Sequence, residues 1–238
     1  DSSGYSAEDA CCACGGGTGG TPVEKHPDFV AIEEAISNAP SNGVETIVSF
    51  SSRGIPWAAQ IVIPKGKNIV LNGINTKMQV GLDAGGTTRH FYVEEGASFS
   101  AINVAFKNGK GDYGGAIFSK GTIARLDNVV FDGNTATQEG GAVYLKGTGS
   151  SLGNVTGCTF RGNRALKAGA GIHMDQSHLT SMSITTTTFV DNKCDDLDNS
   201  FGGAIYFNTV TGNRVVVKDS HFLNNWAMDG GAVYCDRS

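Results

Sequence analysis

The chain has 238 residues, of which 39% are hydrophobic and 17% charged, and a net charge of −5. This composition excludes a disordered polymer and is enough for a sizeable core, while the acidic balance and the lack of any basic run argue against a nucleic-acid partner. The 34 glycines do not recur at every third position, which excludes collagen, and no segment reaches the ~20 apolar residues that cross a bilayer.

Residues 1–22 read as a cysteine-rich segment and a Gly/Thr linker. Cys11, Cys12 and Cys14 are clustered there, whereas Cys158, Cys194 and Cys235 lie singly further on. No second Cys/His pair stands at zinc-ligand spacing, so all six are disulfide candidates, which implies an oxidising compartment. Residues 10–17 resemble the closing phrase of cysteine-rich extracellular modules. No N-terminal apolar signal segment precedes them, so the chain is either intracellular or already processed, and the cysteines favour processing.

The one convincing helix is predicted over residues 28–38. Phe29, Ile32, Ala35 and Ile36 share a face, Asp28 is the expected N-cap, and Pro40 with Asn42-Gly43 ends the element. Such a helix directly before a repeat array is expected to cover its open first coil.

From there the pattern is strand and turn. One predicted series begins at residues 47–50, 69–72 and 91–93 and continues through Ile117, Val143, Ile172, Ile205 and Val233. A second contains residues 102–104, 128–130, 154–156, 183–185 and 215–217. Two phrases recur five times within them. A Phe-x-x-Asn type stands at 106–109, 131–134, 160–163, 189–192 and 222–225, and each is followed by a Gly-Gly-Ala-Ile type at 114–117, 140–143, 169–172, 202–205 and 230–233. The phenylalanines are 25, 29, 29 and 33 residues apart. A period of that size describes a solenoid whose coils bury their apolar faces only by stacking.

The expected fold over residues 23–238 is therefore all-β: a single-stranded right-handed parallel β-helix with a short N-terminal capping helix. The hand follows from the general rule for parallel crossovers. About eight coils at ~4.8 Å give a body of roughly 40 Å. Phe is expected to form an internal ladder, Asn to take a left-handed corner and bond the Asn of the next coil, and Gly-Gly to bend where no Cβ fits.

The alternating phrases resemble the repeats of the chlamydial polymorphic membrane protein family over residues 99–238. The resemblance implies a surface-exposed β-helix, of the same pectate-lyase-like type, with a role in adhesion. The chain departs from that family in its cysteine segment and in having no outer-membrane barrel after the repeats.

The chemistry is sparser. Polysaccharide cleavage on a β-helix needs carboxylates facing one groove. The acidic cluster Asp191, Asp195, Asp196 and Asp198 could offer oxygen ligands to calcium, but a solvated loop explains it as well. His173 takes the slot of Tyr144 and Tyr206, with Asp175 and His178 nearby; it reads as an acid–base pair or as an ordinary exposed strand feature. Thr185–Thr188 would suggest an ice-binding face only if neighbouring coils matched it, and they do not. Trp57 and Trp226 are candidates for an adhesive aromatic patch or for the core. Asn154-Val155-Thr156 is the one full glycosylation sequon.

The pattern stops at residues 235–238 with no cap, from which a homo-oligomer or head-to-tail polymer is expected. The functional expectation is a structural extracellular or cell-surface subunit of a filament or surface assembly. Glycans are further partners; no cofactor, metal, catalytic residue, nucleic acid or membrane insertion is expected. The alternatives are a polysaccharide-binding or -cleaving enzyme and an adhesin.

Overall fold

Repetition of short β-prone segments at coil spacing gives a parallel β-solenoid. The computed structural model describes residues 25–52, 54–74, 79–179, 182–208, 211–212 and 215–236. Cys11, Cys12, Cys14 and the linker lie outside these residues.

Three sheets of seven strands run the length of the body, and every named strand pairing is parallel. Sheet I begins with Glu45–Phe50 and ends with Val215–Lys218. Sheet II runs from Gly54–Pro56 to His221–Leu223, and sheet III from Ile61–Ile63 to Val233–Asp236. A narrower sheet IV (Lys110–Tyr113, Thr135–Glu139, Arg164–Ala165 and Lys193–Cys194) fills the corner between II and III in the later coils.

Seven strands per sheet make six full turns between the first coil and the last, not the eight coils expected. The difference arises at residues 47–50 and 69–72. They pair with each other, and 69–72 pairs in turn with Ser98–Ile102, in sheet I, whereas Phe91–Val93 belongs to sheet III with Ile61–Ile63. Their regular spacing measured coil length but did not say which side of the coil each strand occupies. In the second predicted series, Asn103 and Asn128 are corners between sheets I and II, with φ of 55° and 51°, not strand residues.

The Phe-x-x-Asn phrases are the strands and corners of sheet II. Phe106, Phe131, Phe160, Phe189 and Phe222 are in register. Their ring centres are 5.2, 4.6, 4.7 and 4.9 Å apart, and the last three pairs are within 12° of coplanar. The first four rings are fully enclosed, each contributing up to about 3 kcal/mol of apolar burial.

Beside them runs an amide ladder. Asn163 Oδ1 accepts from the backbone N and Nδ2 of Asn134, both at 3.0 Å, and Asn134 Nδ2 also donates to Phe106 O. The pattern repeats from Asn163 to Asn192 and from Asn192 to Asn225. The asparagines are not the left-handed residues, however. That conformation falls one position earlier, at Asn108, Gly133, Gly162, Asp191 and Asn224 (φ 51–64°). The corner residue frees the next Asn to point inward, where only a bonded amide can be buried.

The Gly-Gly phrase turns sheet IV into sheet III. Its first glycine has φ between 58° and 68° in all five coils, and a Cβ on Gly115 would lie 2.3 Å from Gly141 O.

The helix Pro27–Asn38 covers the first coil with Phe29, Ile32 and Ile36, and Ala35 packs at the margin. Its N-cap is His26 rather than Asp28: His26 Nδ1 accepts from Asp28 N at 3.3 Å, and Pro27 takes the first helical position, where its missing N–H is no loss. At the other end, Lys67 Nζ donates to the carbonyls of Ile36 and Ser37 at 2.7 and 2.6 Å, clamping the helix to the second coil. Phe29 meets Trp57 edge-on at 4.8 Å.

Candidate functional site

Alternation along the strands of sheet III points Ile117, Val143, Ile172 and Ile205 into the core and the following residue outward. Because the strands are in register, the outward residues form a second aromatic column: Tyr92, Phe118, Tyr144, His173, Tyr206 and Tyr234. Successive ring centres are 5.2, 5.3, 4.9, 4.7 and 5.6 Å apart. Tyr113 and Phe201, from the sheet IV side, lie over it, 5.0 Å from Tyr144 and 6.0 Å from Tyr206.

The middle of this column is therefore buried although it faces outward. His173 is 1% exposed, which corrects its reading as an exposed strand residue. Neither ring nitrogen makes a hydrogen bond of normal geometry. The nearest carboxylate is Glu139, with Oε2 3.8 Å from Nδ1, and not Asp175. Asp175 is occupied elsewhere: it accepts from Tyr144 Oη at 3.2 Å and Asn208 Nδ2 at 2.9 Å, and Lys146 Nζ lies at 3.7 Å.

Burial sets the protonation states. Desolvation pushes the His173 pKa down to about 3, so the ring is neutral at physiological pH. Desolvation, then the charge of Asp175, raises that of Glu139, and the Tyr144 phenol is raised by burial and by the same two carboxylates. The group can hold protons, and its imidazole is enclosed between the rings of Tyr144 and Tyr206. His178 lies on a separate two-stranded ladder, paired with Thr211.

The other sequence candidates are dispersed. Asp195 forms a two-pronged pair with Arg164, at 2.6 and 3.0 Å, and Asp196 Oδ1 accepts from the backbone of Asp198 and Asn199. Asp191 is a left-handed corner. Among the described residues no group of three or more His, Cys, Asp or Glu could hold a metal.

Cys158, Cys194 and Cys235 form no disulfide among the described residues. Cys158 is enclosed in the main core and Cys194 in a separate alanine cluster with Ala165, Ala170 and Ala227, so they cannot meet. Burial raises both thiols to about 12. Trp57 is core, its Nε1 donating to His90 O, whereas Trp226 is exposed with Lys193 Nζ 5.2 Å from its ring. Asn154 is exposed on a sheet I strand. Thr187 is buried and bonded to backbone, so the threonine run is not a flat face.

Residues missed by the sequence reading are Glu139, Tyr113, Phe118 and Lys146. The signal was present: an aromatic or His follows the Ile/Val of all five Gly-Gly phrases.

No helix among the described residues is long and apolar enough to cross a membrane. No curated protein and no solved structure matches the chain. Residues 128–146, the part of one coil from the sheet I–II corner through sheet III, match the family model of the Chlamydia polymorphic membrane protein (Chlamydia_PMP) repeat. The chain is thus a parallel β-solenoid carrying a repeat similar to those of that family, a combination that fits a surface repeat protein.

Proposed function

We propose that this protein is a non-enzymatic structural solenoid of the cell surface or extracellular space, a rod-like component of a surface assembly. The observation that carries the reading is the matched repeat lying in register within an uninterrupted seven-strand body. The inner ladders hold coils together, and His173 is buried between rings, which supports a structural rather than a catalytic role. The exposed position of Asn154 supports its use as a glycan site.

The helix over the first coil bears on the mode of assembly. With Phe29, Ile32 and Ile36 seated on that coil, the helix covers part of the apolar cross-section on which another copy would stack head to tail. Protease and antibody treatment of intact source cells tests the location: loss of the protein from the cells without lysis is expected, and full protection would overturn the surface reading. Electron microscopy of native material tests assembly, dispersed single particles counting against it. Release of products from acidic polysaccharides would overturn the non-enzymatic reading.

A further inference from the structure

The half-exposed end of the outer aromatic column opens into a pocket of about 420 Å³, lined by Tyr113, Phe118, Lys120, Lys146, Glu95 and the turn at residues 147–149. Its size lies within the range of small-ligand sites, and its walls combine two rings with three charged groups. A wider groove on the sheet II side, lined in part by Gly86, Gly109 and Gly133, has no aromatic ring in its lining.

The platform is held in place. Phe118 lies between Tyr92 and Tyr144, at 5.2 and 5.3 Å, and Tyr113 meets Phe118 at 6.4 Å. Arg89, 5.4 Å from the Phe118 ring centre, donates to the carbonyls of Tyr113 and Gly114 at 2.7–3.1 Å and so fixes the turn that carries Tyr113. Two ammonium groups stand at the rim. Lys146 Nζ is 5.9 Å from the Tyr113 ring centre and shares Asp175, and exposed Lys120 has no carboxylate at ion-pair distance among the described residues. Glu95 stands by Gly149, where a Cβ would meet its Cγ at 3.0 Å.

We infer that this pocket binds one unit of an acidic saccharide. A pyranose uronate offers an apolar face to the rings, a carboxylate to Lys120 and Lys146, and hydroxyl donors to Glu95. An uncharged apolar ligand would strip water from two ammonium groups with no return. A nucleic acid would stack on the rings too, but it needs a track of cations along its backbone, and the pocket lining offers two lysines at a single point.

The inference extends the structural reading and is separable from it, because the binding assay uses purified protein and its failure leaves surface location untouched. The test is calorimetric titration of the full chain with tetragalacturonate, with its methyl ester and with an oligothymidylate. The acid form is expected to bind saturably, and about tenfold more tightly than the ester. The double variant Lys120→Gln/Lys146→Gln is expected to lose about tenfold with an unchanged thermal transition, since both side chains are exposed. Phe118→Leu weakens binding of acid and ester alike, and Arg125→Gln on sheet I changes neither. Equal affinity for acid and ester, tighter binding of the oligonucleotide, an unaffected lysine variant, or no saturable binding of the acid would each overturn it.

Discussion

His173 and Asn163 show how a single residue in a stacked array acquires its energetic weight from its neighbours. His173 fills a slot that Tyr144 and Tyr206 occupy in the flanking coils, and its desolvated ring is held neutral. His90 is likewise enclosed, its Nε2 donating to Leu82 O at 2.9 Å, with its pKa lowered to about 4. In both cases the folded pKa lies below the ordinary 6.5, so between these values the unfolded chain binds more protons than the native one. Their contribution to stability is complete above about pH 6.5 and is lost as pH falls towards 4 and then 3. His173→Tyr is expected to fold and to remove up to one proton, ~1.4 kcal/mol per pH unit, from that dependence. Urea midpoints across this pH range measure it; an unchanged slope would count against a neutral buried imidazole. Asn163→Ala strands the N and Nδ2 donors of Asn134 and the carbonyl of Phe131 in the core. At ~1–3 kcal/mol for each unsatisfied group, a loss of several kcal/mol is expected in equilibrium unfolding.

At the scale of elements, the cap and the corners were read unequally well. The helix and its buried face followed from apolar spacing, which is periodic and local. Its true cap, His26 before Pro27, and its clamp, Lys67, did not, because the clamp comes from a strand in the second coil. Lys67→Met removes two charge-assisted bonds to the helix end and is expected to lower stability by ~1.5–3 kcal/mol. Hydrogen exchange of the helix amides should accelerate before that of sheet II, and uniform acceleration would show that the cap is not a separate unit. The Phe and Gly-Gly columns were legible because each is an identity repeated at coil spacing. The left-handed corner was placed one residue late because Asn tolerates that conformation and also suits a buried ladder. Only the inward direction of the amide separates the two roles. Sheet IV was not legible at all: two- to five-residue strands of changing composition carry no period. The outer column was read only in part, as the shared slot of Tyr144, His173 and Tyr206, since Phe, Tyr and His vary from coil to coil while keeping one position.

For the whole molecule, stability is close to a sum over neighbouring coils. Phe160 contacts rings on both sides, at 4.6 and 4.7 Å, and is fully buried. Phe160→Ala is expected to cost about 3–5 kcal/mol. It should also uncouple the coils above from those below, so that denaturant unfolding broadens or splits into two transitions. A single transition of unchanged slope would indicate that the body melts as one cooperative unit.

The amide ladder gives this column a chemical heading. The Asn-to-Asn bond runs one way throughout residues 134–225: each amide nitrogen donates to the Asn Oδ1 of the coil that follows and also to the Phe carbonyl of the coil before, and the reverse pairing does not occur. A coil can therefore be grafted in, deleted or duplicated within the stack only in one orientation, and lengthening or shortening the array preserves its sense.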